Sequence, residues 1–298
     1  MRTYRSCDFP ASKVVASKRG RTISVCLPAR NEEATVGVAV ERIRRDLMDE
    51  AAVVDEVVVI DDDSTDDTAQ VAADAGAQVV EAAGVLPEYG TEHGKGQAMW
   101  RGVHVTTGDV VAFCDADVRD FDPAFVLGLV GPLMARDDVA FVKGFYERPV
   151  DGRPREGGRV TELMARPLIS VFFPHLAGVN QPLAGECAAR RETLEAVPFV
   201  GGYGVDLGLL IDISEQFGSS SVAQCDLGER IHRNRPLDEL SVQALTILQL
   251  VLRRAGLPDD AYAGFPTARL LRPGVDPVAV TFSERPPLAE VPSHRMTA

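Results

Sequence analysis

The chain has 298 residues, of which 45% are apolar and 25% charged, and its formal net charge is -13. These are ordinary values for one large globular domain, or one domain with a substantial extension, and the acidic balance argues against broad nucleic-acid binding, which needs clustered Lys and Arg. Its five cysteines are scattered without a CxxC pair, no apolar run approaches ~18 residues, and no signal-type apolar region opens the chain, so a cytoplasmic protein without disulfides, a zinc site or a membrane span is expected.

Residues 1–20 carry little pattern and are expected to form a flexible lead-in. A first strand is predicted over 22–27, stopped by Pro28. An amphipathic helix follows Asn31-Glu32-Glu33 and runs to about Leu47. A second apolar run, 57–60, ends in Asp61-Asp62-Asp63. Ser64 and Thr65, followed by acids, read as a helix start with Ser or Thr as cap, and Asn31 fits the same role. Then come a short strand at 77–80, a Gly-rich loop at 82–94, a helix from about 96 to 105 and a strand at 109–114. That strand stops at Asp115-Ala116-Asp117. Cys26 and Cys114 lie inside apolar runs and read as small buried hydrophobes. Further on, helices are predicted over 159–173, bent or divided at Pro167, over 204–217 and over 237–254, with a strand at 220–227. The last forty or so residues are Pro-rich and predict an extended arm or partly disordered tail.

Short apolar runs alternating with helices indicate an α/β fold with a mostly parallel sheet, covered on both faces where runs such as 57–60 are continuous. Ligands of such sheets bind beyond the carboxyl ends of the strands. The polar clusters at 28–32, 61–63 and 115–117 all sit at those ends.

Two carboxylates one residue apart, Asp115 and Asp117, can share a divalent cation with substrate phosphates; a solvated acidic turn explains a lone DxD equally well. Residues 28–33 and 61–66 offer polar groups to a nucleotide base and ribose, although Asn31 and Ser64 can serve as caps. His93-Gly94-Lys95-Gly96 lets backbone approach a ligand and aims a lysine at a phosphate, without being the longer Walker loop; a simple turn is its plain reading. In the run 230–235, His232 is a candidate metal ligand and Arg230, Arg233 and Arg235 are candidate anion holders; a solvated basic face is the plain alternative. Gly157 and Gly158 lead into a helix start carrying Arg159 and Thr161, a natural place for a phosphate or carboxylate or else a flexible loop.

The segments PARNEE, DDDSTDDT, GKGQAMW, DAD, GGRVTELMARPL, QPLAGE, GYGVDLGLLID and HRNRPLDEL, in this order, resemble the glucosyl-3-phosphoglycerate synthases of actinobacteria. The resemblance covers about residues 20–256, with a weaker echo at 283–287. It implies the GT-A type fold of nucleotide-diphospho-sugar transferases, with a nucleotide-sugar-binding half over 21–150, an acceptor-binding half over 151–256 and an arm over 257–298. It also implies retaining transfer of a hexose, from UDP-glucose in the first instance, to 3-phosphoglycerate, with Mg²⁺ or Mn²⁺ and a homodimer. By the same resemblance Asp117 and His232 hold the metal. Pro28, Ala29, Glu32, Asp62, Lys95, Asp115, Ala116, Tyr203 and Arg230 meet the donor, with Glu186 bordering the sugar. Gly158, Arg159, Thr161 and Asn234 meet the acceptor. Asp117, Lys95 and Asp206 carry the chemistry.

Three positions depart from the pattern: Asp206 where a glutamate is expected, Asp62 where a serine is expected, and Arg30 where an apolar residue is expected. A relative using another sugar or small acceptor is the alternative these changes raise. A sugar nucleotidyltransferase is the rival enzyme class, but the Gly-rich start that it would need, followed by an activating Arg and Lys, is missing near residue 28. A non-catalytic sugar-nucleotide sensor fits poorly with an intact DAD and His232.

Overall fold

The structure, a computed structural model, describes residues 1–147, 158–229, 236–257 and 267–295. In chain order its strands and helices are β1 (Arg2–Arg5), α1 (Ala11–Lys18), β2 (Ile23–Ala29), α2 (Val36–Arg42, continued by a π-helical segment Ile43–Asp49), β3 (Glu56–Asp61), α3 (Thr68–Asp74), β4 (Gln78–Glu81), α4 (Lys95–Val105), β5 (Val110–Phe113), α5 (Ala124–Ala135), β6 (Phe141–Glu147), α6 (Arg166–Phe172, preceded by a π-helical segment Thr161–Ala165), β7 (Cys187–Arg190), α7 (Arg191–Glu195), β8 (Phe199–Val200), α8 (Val205–Phe217), β9 (Val222–Glu229), α9 (Leu237–Arg254), β10 (Thr267–Arg272), β11 (Val275–Thr281), β12 (Glu284–Arg285) and α10 (Pro292–Arg295).

Eight strands form one sheet in the order β1-β9-β6-β7-β5-β2-β3-β4. All neighbours are parallel except β7, which runs antiparallel to both β5 and β6. The apolar strands build two cores by simple alternation of side chains. Val25, Leu27, Val57, Val59, Val110 and Ala112 face one layer, which includes residues of α2 and α5. Cys26, Val58, Ile60, Val111 and Phe113 face the other, against α4, α8 and α9. This is the GT-A architecture that the alternating pattern and the family resemblance predict. Among the described residues no helix is long and apolar enough to cross a membrane.

Two expectations are corrected. The flexible lead-in is ordered: β1 pairs in parallel with β9 from Arg2↔Ala223 to Arg5↔Asp226, and Phe9 is buried where Gly131 of α5 leaves room for its ring. Of the tail, residues 267–295 are described, and they are structured rather than disordered. β10 and β11 form an antiparallel hairpin, and β12 then pairs with β8 through Glu284↔Val200 and Arg285↔Phe199. Leu288 and Val291 are buried in the α4 layer. The indole N–H of fully buried Trp100 donates to the Pro286 carbonyl at 2.8 Å. Pro167 lies at the join between the π-helical segment and α6, where the sequence places a bend.

Trp100 therefore couples α4 to the returning segment. Trp100→Ala is expected to lower unfolding free energy by about 3–5 kcal/mol, as for other large buried aromatic truncations. Urea denaturation followed by circular dichroism measures this.

Candidate active site

β2 and β5 are parallel neighbours, yet the chain leads from β2 outward to β3 and β4, and places β5 on the opposite side. At such a switch point the loops after the two strands diverge and leave a crevice. Here it is a cavity of about 380 Å³. Pro28, Ala29, Glu32, Asp62, Lys95, Asp115, Ala116, Asp117 and Tyr203 all line it, with Arg30 and His93. Each of the sequence-predicted donor residues within the described chain is thus brought to one place. Arg230, His232 and Asn234 lie outside the described residues, as do Gly157, Arg233 and Arg235.

Lys95 opens α4. Its ammonium donates to Asp115 Oδ1 at 2.8 Å and stands 3.5 Å from Asp206 Oδ2. Burial, the largest influence on Lys95, would strip its proton. The charges of Asp115 and Asp206, with the Asp115 hydrogen bond, outweigh it and raise the pKa above the ordinary lysine value. A permanent cation therefore sits on the cavity floor. Gly185 makes room for it: a Cβ there would lie 2.3 Å from Lys95 Nζ and 2.4 Å from both Asp115 oxygens.

Glu32 shows how much negative charge the cavity concentrates. Its carboxyl is pushed up to about 7, first by burial and then by the charge of Asp117, with smaller contributions from Asp66 and Asp115, against a lowering hydrogen bond from Thr35. An oxygen-rich, electronegative wall of this kind suits a divalent cation such as Mg²⁺ or Mn²⁺. Asp115 and Asp117 would be the groups of this wall to hold it. Among the described residues alone, no cluster of three His, Cys, Asp or Glu side chains completes a metal site.

Asp62 spends its carboxylate on the loop: Oδ2 accepts the Gly94 N–H at 2.7 Å, and Oδ1 is 3.4 Å from His93 Nδ1. Gly94 has φ +135, and a Cβ there would come within 2.7 Å of Gln97 Oε1. Asn31 and Ser64 are not helix caps. The Asn31 N–H donates to Ser64 Oγ at 3.0 Å, and the Thr65 N–H donates to Asn31 Oδ1 at 2.8 Å. They tie the loop after β2 to the loop after β3, because α2 and α3 begin further along, after Thr35 and Asp67.

Several residues that hold the walls were not anticipated from the sequence. Gln97 bridges two of them: its Nε2 donates to Ser283 Oγ at 3.1 Å, and its Oε1 accepts the Gly202 N–H at 3.0 Å. The Gly201 N–H donates to the Ser283 carbonyl at 2.7 Å. Arg285 pairs with Glu92, and the buried Arg101 guanidinium donates to the Gly90 carbonyl at 2.6 Å. The returning segment therefore braces both the 90–94 loop and the turn carrying Tyr203. Its only trace in the sequence is the short run 283–287.

A second cleft, of about 840 Å³, is lined by Gly158 and Thr161 together with Tyr146, Arg166, Asn180, Gln181 and Asp226. Arg159 is exposed in the first turn after Gly158, whose φ is +85. Of the acceptor residues within the described chain, Gly158 and Thr161 line this cleft, apart from the donor set, and Arg159 does not. Asp206 does not line the donor cavity; it is buried behind Lys95, in the first turn of α8. Glu186 is likewise buried, just before β7.

Gly185→Ala would put a Cβ within 2.4 Å of the Lys95 ammonium and of both Asp115 oxygens. It is expected to keep the fold while lowering its stability by about 1–3 kcal/mol, as for other overpacked buried sites, read by urea denaturation. The raised Glu32 pKa has a sign consequence. Its ordinary value is 4.5 and its folded value about 7, so its favourable contribution is complete below 4.5 and lost as pH rises through 7. Metal-free Glu32→Gln should therefore show a flatter melting temperature between pH 5 and 8 than wild type, measured by calorimetry.

The model of glycosyl transferase family 2 matches residues 24–193. The glucosyl-3-phosphoglycerate synthase of Mycolicibacterium smegmatis is 46% identical over 94% of this chain and 93% of its own length. Crystal structures give the same picture. Glucosyl-3-phosphoglycerate synthase of Mycobacterium tuberculosis, in complex with Mn²⁺, UDP-glucose and phosphoglyceric acid, superposes with a TM-score of 0.85 at 43% identity, covering 94% of each chain. Mannosyl-3-phosphoglycerate synthase of Rubrobacter xylanophilus superposes with a TM-score of 0.87 at 40% identity, covering 97% of each chain. With the site and sheet described above, these likenesses extend over nearly the whole length, and the chain belongs to the glucosyl-3-phosphoglycerate synthase family of glycosyltransferases.

Proposed function

We propose that the chain transfers glucose from UDP-glucose to 3-phosphoglycerate, with retention at the anomeric carbon, forming glucosyl-3-phosphoglycerate and UDP. The observation that carries this reading is the Lys95–Asp115 pair at 2.8 Å on the floor of a cavity that gathers every described donor residue. A diphosphate leaving group needs a fixed cation where its charge develops. Support also comes from the Mycobacterium tuberculosis relative, whose structure holds a nucleotide sugar, Mn²⁺ and phosphoglyceric acid together.

In this reading Pro28, Ala29, Glu32 and Asp62 receive the uridine, Asp115 its ribose, and Lys95 and Arg230 the diphosphate. Asp117 and His232 hold Mn²⁺ or Mg²⁺, which when bound neutralises diphosphate charge. Tyr203 and Glu186 border the sugar. Gly158, Arg159, Thr161 and Asn234 hold the phosphate and carboxylate of the acceptor. The acceptor hydroxyl bonds to the anomeric carbon on the face that UDP leaves, and its proton passes to the departing phosphate oxygen. Lys95, kept charged by Asp115 and Asp206, stabilises that oxygen without itself losing a proton. A homodimer is part of the proposal, with the exposed apolar residues Leu271, Val275 and Val278 of the β10–β11 hairpin as contacts.

A second reading, transfer of mannose, is favoured by the equally close Rubrobacter xylanophilus structure. Both are decided by incubating the protein with Mn²⁺, D-3-phosphoglycerate and either UDP-glucose or GDP-mannose, and reading products by mass spectrometry. Glucosyl-phosphoglycerate from UDP-glucose is expected, with the α anomer by NMR coupling constant, and loss of at least 100-fold in Asp117→Ala, as for other groups that organise transition-state charge. A β product, a mannosyl product alone, or full activity in Asp117→Ala overturns the corresponding part.

A further inference from the structure

The strand β6 places a lysine, Lys143, in the middle of the sheet. It is 1% exposed and is flanked in register by Cys187 of β7 and Gln224 of β9. An ammonium ion at such a position is costly unless a counter-charge reaches it. Lys143 Nζ donates to the main-chain oxygen of Asp206 at 3.1 Å and stands 3.5 Å from Asp206 Oδ1. Those are its polar contacts among the described residues. Asp206 Oδ2, the other carboxylate oxygen, stands 3.5 Å from Lys95, which in turn bonds Asp115 at 2.8 Å.

The four groups make one line of alternating charge, Asp115–Lys95–Asp206–Lys143, leading from the cavity floor into the sheet. The buried Cys187 thiol lies beside it. Burial pushes that thiol up to about 11, and all four charges act on it, the two lysines lowering and the two aspartates raising.

We infer that Lys143 is a positioning residue for transfer: by engaging one oxygen and the carbonyl of Asp206 from behind, it fixes the carboxylate that holds Lys95 at the diphosphate. Without Lys143 the remaining three charges sum to one negative. Asp206 would then be free to turn both oxygens on Lys95 and draw it inward, away from the cavity. Lys143 never touches a substrate in this arrangement; its effect travels through Asp206 alone. The inference rests on the transferase reading above, because it assigns Lys95 to the leaving diphosphate.

The test is a double-mutant cycle of Lys143→Met, Asp206→Asn and the pair together, with Lys143→Arg as the conservative variant. For each, melting temperature, UDP affinity, kcat and donor KM are measured. Lys143→Met is expected to lower kcat about tenfold with donor KM within about twofold, the pattern of an interaction realised in the transition state. It should also bind UDP several-fold more weakly, because UDP, unlike the intact donor, carries on its terminal phosphate the charge that develops as the sugar bond breaks. Lys143→Arg recovers most of the loss. In the Asp206→Asn background Lys143→Met has no further effect on kcat, and the double variant is more stable than either single one, since neither half of the pair is left buried alone.

Wild-type kcat and UDP affinity in Lys143→Met, with only the melting temperature lowered, would mean a structural role and overturn the inference. So would a loss of equal size in the Asp206→Asn background. If Lys143→Met alone does not fold, a folded double variant supports the coupling and an unfolded one refutes it. Should the wild type make no hexosyl-phosphoglycerate, the transferase reading fails first; the stability cycle and UDP affinities still decide whether Lys143 acts through Asp206.

Discussion

Lys95 and Asp115 meet where the first turn of α4 faces the loop after β5, and the surrounding structure is arranged so that this contact survives burial. Each of the two charges would cost several kcal/mol to desolvate alone. They persist because Gly185 leaves space for them and Asp206 adds a second carboxylate to Lys95. The parallel sheet supplies the frame. β2 and β5 end side by side, Cys26↔Phe113 being the last register pair, so the segments beyond them must diverge there.

The loops that enclose this contact are held by hydrogen bonds that do no chemistry. Asp62 accepts the Gly94 amide, Asn31 and Ser64 link two neighbouring loops, and Gln97 joins the 202 turn to Ser283. This gives Asp62 a local structural reason. Its carboxylate, which would repel a diphosphate if it pointed into the cavity unpaired, is occupied by a backbone N–H and lies near His93.

Much of the donor half was legible because its signals are local. Apolar runs ended in acids at 61–63 and 115–117, and of these Asp62, Asp115, Ala116 and Asp117 form part of the cavity wall. α9 was placed at its observed limits, Leu237–Arg254, by its amphipathic repeat. What failed was long-range or uniform. α5 is apolar on every side, so the 3.6-residue period that marks a surface helix is absent. β7 is only four residues long, and its antiparallel place between β5 and β6 depends on partners far away in sequence. β1 has alternating burial as an edge strand, but only its pairing with β9 makes it one. Lys143 was not singled out from the sequence, because Asp206, the residue it contacts, lies 63 residues further on.

The bond from Trp100 to Pro286 spans 186 positions, and that from Gln97 to Ser283 spans the same. At ribosomal rates of about 5–20 residues per second, the partner of each is made roughly 10–40 s later. Throughout that interval the Trp100 indole lacks its native hydrogen-bond partner, and the cavity loops lack the brace that Ser283 gives Gln97. Completion of the cavity walls is therefore a late event in biogenesis. Long-range closure of this kind also slows refolding relative to helical proteins of similar size.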